Sequence, residues 1–179
     1  MAIALANRYA RALADVVART GNYREVLSEL ENFAAVYRQS AALRELFETP
    51  AVGLPAKTSV LDAILARLGA ATAARNFLRV VLSNYRMRQL EEIGQAFRRV
   101  ANARMGIVEV KVISAAQLSE SERERIRVRF EGLTRKRVEV AFQLDPALLG
   151  GIRAQVDSTV YDGTVRGRLE RLRQQFLAG

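Results

Sequence analysis

Two short segments late in the chain hold the residues that could do chemistry. Gly150 and Gly151 could cradle a phosphate, but neither Gly-x-Gly-x-x-Gly nor Gly-Lys-Ser/Thr spacing occurs there, which favours a backbone bend entering a strand. Asp157 and Asp162 could act as paired carboxylates, but no His or Lys lies near either one. Both Asp residues are therefore predicted to cap turns or to face solvent.

The composition removes the groups that most enzymes use. The 179 residues include no His and no Cys, so the commonest general base, the commonest metal ligand and any thiolate nucleophile are missing. No combination of nucleophile, base and orienting group is visible elsewhere. The sequence predicts a non-catalytic protein that holds no cofactor and no metal.

The positive charge comes almost entirely from Arg. The formal net charge is +9, and Lys occurs only at Lys57, Lys111 and Lys136. Such a balance fits an acidic partner, whether nucleic acid, an anionic membrane surface or acidic protein helices, and it also fits a merely solvated surface.

The densest basic stretch alternates with acidic residues. On a helix, residues two apart face different sides, so the alternating Arg residues do not form one stripe, and an ion-paired outer face is favoured. A nucleic-acid-binding module remains an alternative, although no aromatic platform accompanies the stretch. The basic residues are Arg123, Arg125, Arg127, Arg129, Arg135, Lys136 and Arg137, and the interleaved acids are Glu120, Glu122, Glu124 and Glu131.

Neither a membrane span nor a signal peptide is predicted. The longest apolar runs, such as residues 77–82, are short and broken by Arg79. The apolar N-terminal residues precede Arg8 and Arg11, whereas a signal peptide places its charge before its apolar stretch. We expect a soluble cytoplasmic protein or one that is peripheral to a membrane.

The first hundred residues show helical periodicity in six segments. In the first helix Tyr9, Leu13, Val16 and Val17 share one face. The fifth, around residues 77–82, is apolar on more than one face, so it is either central or partly exposed to a partner. Residues 50–55 are predicted as a loop between the third and fourth helices.

The periodicity changes at Gly106. Residues 108–112, 138–144 and 152–156 alternate as strands, with Leu144 inward. Ser119 and Glu122 form a capping box for a helix that turns Ile126, Phe130 and Leu133 inward. A turn from Asp162 to Thr164 is predicted to cap a last helix. Its inward residues would be Val165, Leu169, Leu172 and Phe176.

These patterns predict an α+β chain in two parts. Residues 1–105 would form a six-helix bundle, and residues 106–179 a small α/β domain of order βαββα.

Several of these segments together resemble one family, the delta subunits of F-type ATP synthase, which include the mitochondrial oligomycin-sensitivity-conferring protein. The family usually has Asp-x-Ser at the late turn, and Thr164 replaces that Ser here while keeping the hydroxyl. The order and spacing of the matches, over roughly residues 5 to 177, make the resemblance specific. The matching residues are Tyr9 to Leu13; Phe47, Pro50, Val52 and Lys57; Asn76 to Leu78, Asn84 and Arg86; Ser114 to Ser119; and Asp145, Pro146, Leu148 to Ile152, Val156, Val160, Asp162 to Val165, Leu169 and Leu172.

The resemblance implies a stator subunit that joins the catalytic head to the peripheral stalk at the cytoplasmic face of a bacterial inner membrane. Residues 1–105 would hold the N-terminal helix of an alpha subunit, and residues 106–179 the C-terminal ends of the b subunits. The expected alpha-subunit groove is lined by Tyr9, Ala12, Leu13, Val80, Val81 and Asn84, while Gly150, Gly151, Asp162 and Thr164 support the second domain structurally.

Overall fold

The computed structural model describes residues 2–148, 150–156, 159–164 and 167. These residues form seven α-helices, one short 3-10 helix and four β-strands, so the fold class is α+β, as predicted. The chain divides into two compact units, Met1–Ala101 and Asn102–Gly179, a few residues before the boundary expected from the sequence.

The first unit is helical. Its elements are α1 (Ala2–Val17), α2 (Tyr23–Gln39), α3 (Ala41–Glu48), α4 (Leu54–Arg67), α5 (Thr72–Ser83), a 3-10 turn (Met87–Gln89) and α6 (Leu90–Arg104), whose last three residues fall in the second unit. The loop predicted at 50–55 is shorter than expected, because α4 already begins at Leu54 with Pro55 in its first turn. Proline is favoured there, since the first N–H groups of a helix need no intrahelical acceptor.

The buried face of α1 differs from the predicted one. Ala10, Ala14 and Val17 are fully buried. Val16, which was expected to share the inward face, is 59% exposed. Alanine carries much of the buried face, and its small side chain gives only a weak apolar signal in the sequence.

A buried lysine joins α3 to α4. Lys57 is 1% exposed, and its Nζ donates hydrogen bonds to the carbonyl oxygens of Phe47 (3.0 Å) and Thr49 (2.8 Å). These carbonyls lie where α3 ends, and its last carbonyl groups have no intrahelical donor. The spacing between Phe47 and Lys57 is thus explained by a cap on α3.

The second unit is a sheet with one helix. Its elements are β1 (Ile107–Ser114), α7 (Glu120–Thr134), β2 (Arg137–Leu144), β3 (Ile152–Val156) and β4 (Thr159–Asp162). The sheet order is β2-β1-β3-β4, with β1 and β2 parallel and the other pairs antiparallel. The predicted capping box of Ser119 and Glu122 is present at the start of α7. The small core contains Val110, Val112, Phe130, Val138 and Ala154.

Three expectations for this unit are wrong or fall beyond the described part of the chain. The order βαββα omitted β4, whose four residues include the half-exposed Val160 and Tyr161 and show no alternation of burial. Leu133 and Leu144, both predicted inward, are 60% and 54% exposed. Asp157 and the inward residues predicted for the last helix (Val165, Leu169, Leu172 and Phe176) lie outside the described residues.

Candidate functional site

An open groove lies between α1 and α5 in the helical unit. It has a volume of about 620 Å³. Helix α1 and the turn after it contribute Arg8, Tyr9, Ala12, Leu13, Val16 and Thr20. Helix α5 contributes Thr72, Ala73, Asn76, Phe77 and Val80. The lining is mainly apolar, and its polar members are short or stand on exposed positions.

The groove has a buried floor and exposed walls. Leu13 and Phe77 form the floor and are 2% and 8% exposed. The Tyr9 ring packs edge to face against Phe77, with 6.3 Å between the ring centroids. Aromatic pairs prefer this arrangement. Val16 and Val80 stand on either side, 59% and 49% exposed. Large exposed apolar side chains flanking a shallow groove are typical of a surface that a partner covers.

The sequence located part of this lining. Tyr9, Ala12, Leu13 and Val80 face the groove. Val81 has no exposed surface and belongs to the core face of α5. Asn84 follows the end of α5, where its Nδ2 donates to the Val80 carbonyl oxygen at 2.7 Å, and it is not among the lining residues. Neighbouring positions on a helix point about 100° apart, and at this pair the change of direction separates the half-exposed Val80 from the fully buried Val81.

A bidentate ion pair joins α5 to α4 beside the groove. Arg79 donates from Nε and Nη2 to the two carboxylate oxygens of Asp62, each at 2.8 Å. The hydrogen bond from Arg79 lowers the pKa of Asp62 below its ordinary value. Planar guanidinium and carboxylate groups paired in this way favour one geometry.

Two adjacent glycines in the second unit, Gly150 and Gly151, lie at a close backbone approach. Gly150 and Gly151 both have positive φ, +143° and +83°. A Cβ on Gly151 would lie 2.5 Å from the carbonyl oxygen of Gly163 and 2.9 Å from Cα of Thr164. No side chain fits there, so glycine at this position lets the start of β3 pack against the segment after β4.

Asp162 organises that segment through hydrogen bonds. Its Oδ1 accepts from the backbone N–H of Thr164 (2.9 Å) and from the Thr164 hydroxyl (2.7 Å), and its Oδ2 accepts from Arg153 (3.1 Å). The hydrogen bonds from Thr164, first of all, hold the pKa of Asp162 below its ordinary value. Thr164 is 1% exposed, and its Oγ1 accepts from the N–H of Gly167 as an N-cap side chain does.

Several charged side chains elsewhere on the described surface form ion pairs with one another. A second cavity of about 460 Å³, between α2, α3 and α6, is lined by charged side chains that already form ion pairs with one another. In α7, Arg127 pairs with Glu124 and Glu131, which supports the predicted ion pairing of the basic stretch at this one residue. The pairs at the second cavity are Arg88 with Glu48, Arg98 with Glu31, and Arg38 with Glu91.

Two searches of the described residues gave no site of another kind. None of the helices in the described ranges is long and apolar enough to cross a membrane. Within the same residues, no group of three or more acidic side chains is placed to hold a metal ion.

Comparisons with known proteins agree on one family. The model of the "ATP synthase delta (OSCP) subunit" family matches residues 5–176. An ATP synthase subunit delta of Acidobacterium capsulatum is 43% identical over 174 residues, which is 97% of each chain. That of Myxococcus xanthus is 34% identical over 176 residues, again 97% of each chain.

A solved structure shares the fold. It is a chain from the cryo-EM structure of the Toxoplasma gondii mitochondrial ATP synthase hexamer, with a TM-score of 0.76 and 22% identity over 98% of both chains. The match to the family model over nearly the whole chain, together with these bacterial relatives, shows that the chain belongs to the ATP synthase delta (OSCP) subunit family.

Proposed function

We propose that this chain is the non-catalytic stator subunit of an F-type proton-translocating ATP synthase. It would link the catalytic head to the peripheral stalk, so that rotor torque is coupled to ATP synthesis. Membership of the delta family supports this role, since that family comprises structural rather than catalytic subunits of the complex.

The role follows from simple mechanics. A rotor driven by proton flow applies torque to the head, and unless the head is held still it turns with the rotor and no work is stored. The holder needs no reactive groups, only long-lived contacts with two bodies. The lack of His and Cys is compatible with such a part.

The groove between α1 and α5 is the observation that carries the proposal. Residues 8–16 of α1 and 72–80 of α5 each span about 12 Å at 1.5 Å per residue, which matches roughly two turns of a partner helix. Amphipathic helices bind such grooves by burying apolar anchors spaced three and four residues apart. The occupant would be the N-terminal helix of an alpha subunit, with Ala12 allowing its backbone to approach closely.

The second unit would contact the C-terminal ends of the b subunits. Its exposed apolar residues, which include Leu133, Leu144, Val160 and Tyr161, support an additional partner surface. On this proposal residues 1–105 form a six-helix domain and residues 106–179 an α/β domain, each with its own partner. The complex would place the subunit at the cytoplasmic face of the bacterial plasma membrane, as a peripheral component.

A charged substitution in the groove tests the proposal. Ala12→Asp should weaken binding of a peptide from the alpha-subunit N-terminus by about 100-fold or more, because the carboxylate would be buried against the apolar face of the peptide. Isothermal titration calorimetry measures the affinity, and circular dichroism checks the helix content.

Ala63→Asp is the matched control. Ala63 is an exposed residue on α4 that does not line the groove between α1 and α5. The substitution should leave the affinity nearly unchanged. Equal affinities of Ala12→Asp and the unsubstituted protein would rule this groove out as the alpha-subunit site.

A further inference from the structure

The groove between α1 and α5 carries a single charged lining residue. Of the side chains that line it, only Arg8 is ionised, and it stands where the lining set begins along α1. The other polar members, Thr20, Thr72 and Asn76, are neutral. The electrostatic character of the groove is thus uneven along α1: one end bears a full positive charge and the opposite end does not.

Arg8 is also unpaired within the part of the chain that the structure describes. Its side chain is exposed, and no described residue forms a hydrogen bond or an ion pair with it. The second cavity, between α2, α3 and α6, differs, since there Arg88 and Arg98 each bind a glutamate of the same chain. A guanidinium without an internal partner, set at the end of an apolar groove, is free to bind a carboxylate on whatever covers the groove.

We propose that Arg8 determines which way round the partner helix lies, by pairing with a carboxylate side chain on that helix. The inference rests on the proposed function, because it takes the helix in the groove to be the alpha-subunit N-terminus. Apolar anchors alone discriminate poorly between the two directions of an amphipathic helix, since apolar contact is non-directional. A charge at one end adds the asymmetry, and an occupant lying the opposite way would leave its carboxylate away from Arg8.

The expected effect is moderate, because Arg8 is exposed. Exposed ion pairs change an affinity by up to about fivefold. Arg8→Glu also places two like charges together, so we expect about a tenfold loss of affinity at low salt. The loss should shrink as the ionic strength rises, since the Debye length falls to about 3 Å at 1 M salt.

Arg11 supplies a matched control on the same helix. It is exposed, lacks a hydrogen bond or ion pair to any described residue, and does not line the groove between α1 and α5. Arg11→Glu makes the same change in net charge one turn away. Any loss shared by the two variants therefore reports the general field of the protein, and the excess loss in Arg8→Glu reports the local pair.

A double-mutant cycle tests the assignment. The probe is a peptide of the alpha-subunit N-terminus in which each Asp and Glu is replaced in turn by Lys, titrated into the full-length chain and into the Arg8→Glu and Arg11→Glu variants. One replacement should restore most of the affinity lost in Arg8→Glu, and it should not do so for Arg11→Glu.

The outcomes separate this inference from the function it rests on. No binding of the unaltered peptide to the unsubstituted chain would overturn the proposed function. Binding that Arg8→Glu leaves unchanged would overturn the role of Arg8. A loss that no replacement in the peptide restores would show that Arg8 meets backbone carbonyls at a helix end, which would overturn the carboxylate assignment.

Discussion

The groove of the helical unit and the bend in the sheet unit, at Gly151 and Asp162, differ in how far their residues contact other groups of the same chain. Val16 and Val80 in the groove keep about half of their apolar surface exposed. At the bend, Gly151 meets the backbone of Gly163 with no room for a Cβ, and Asp162 accepts several hydrogen bonds from its own chain. The groove therefore leaves apolar surface exposed to solvent, whereas the groups at the bend are packed against, or hydrogen-bonded to, other groups of the same chain.

This difference separates binding residues from structural ones. Substitutions at a surface that is proposed to bind a partner should change affinity and leave stability nearly constant. Substitutions in a bend held by close packing and internal hydrogen bonds should do the reverse. The following predictions test that separation, beginning with the largest expected change in stability.

Gly151→Ala should produce the largest loss. The new Cβ would overlap the carbonyl oxygen of Gly163, and positive φ is unfavourable for alanine, so we expect the free energy of unfolding of the second unit to fall by about 2–4 kcal/mol. Hydrogen exchange measured peptide by peptide should show faster exchange in β3 and β4 while α1 to α5 stay protected.

Gly132→Ala is the control for that substitution. Gly132 lies in α7, no atom lies within 4 Å of the position that a Cβ would take there, and alanine is the better helix former by about 1 kcal/mol. The substitution should therefore stabilise the unit slightly. Similar exchange rates in Gly151→Ala and the unsubstituted chain would mean that the close approach at Gly151 contributes little to the fold.

Asp162→Asn should cost less, and its cost should depend on pH. Asparagine keeps the shape but weakens the bonds from Thr164 and Arg153, for an expected loss of about 2 kcal/mol at pH 7. The folded-state pKa of Asp162 is lowered, so its contribution is fully present above the unfolded pKa of about 3.9 and is lost as the pH falls through the folded value.

Urea unfolding from pH 7 to pH 2 measures this difference. The gap between the unsubstituted chain and Asp162→Asn should be constant above about pH 5 and should close at lower pH. A gap that stays constant down to pH 2 would show that the charge of Asp162 is not what holds Thr164.

Val80→Ser should have the smallest effect on stability. The side chain is half exposed in the free protein, so removing it should change the free energy of unfolding by about 0.5 kcal/mol or less. Affinity for the alpha-subunit peptide should still fall about tenfold, since the partner would bury this surface. Val81→Ser, at the fully buried neighbour, should reverse the pattern by destabilising the helices strongly.

Strong periodicity made most elements predictable. Alternating apolar residues indicate β1 to β3, and Ser119 with Glu122 locates the start of α7. The prediction for the buried face of α1 was wrong because Ala10 and Ala14 carry it, and alanine is a weak signal. Strand β4 was missed because it is four residues long and pairs with β3 through its backbone, which leaves no pattern in its side chains.

The groove was only partly predictable for a related reason. The sequence of a helix that is apolar on two faces indicates that one face is exposed, but it does not indicate which of the two is exposed. Val80 and Val81 are the same residue type, and only the packing of α5 against its neighbours decides that Val81 is buried and Val80 exposed. The sequence indicates Phe77 only as an apolar residue of the fifth helix, and its role as the floor of the groove depends on its contact with Tyr9.

The most direct test of the stator role is ATP-driven proton pumping by inverted membrane vesicles from which this subunit has been removed. Adding the full-length chain should restore pumping, and adding Ala12→Asp should not, although ATP hydrolysis continues in both cases. Ala63→Asp, at an exposed position on α4 outside the groove, should restore pumping like the unsubstituted chain. Full pumping with Ala12→Asp, or with no added subunit, would contradict the proposal that this chain holds the head through the groove between α1 and α5.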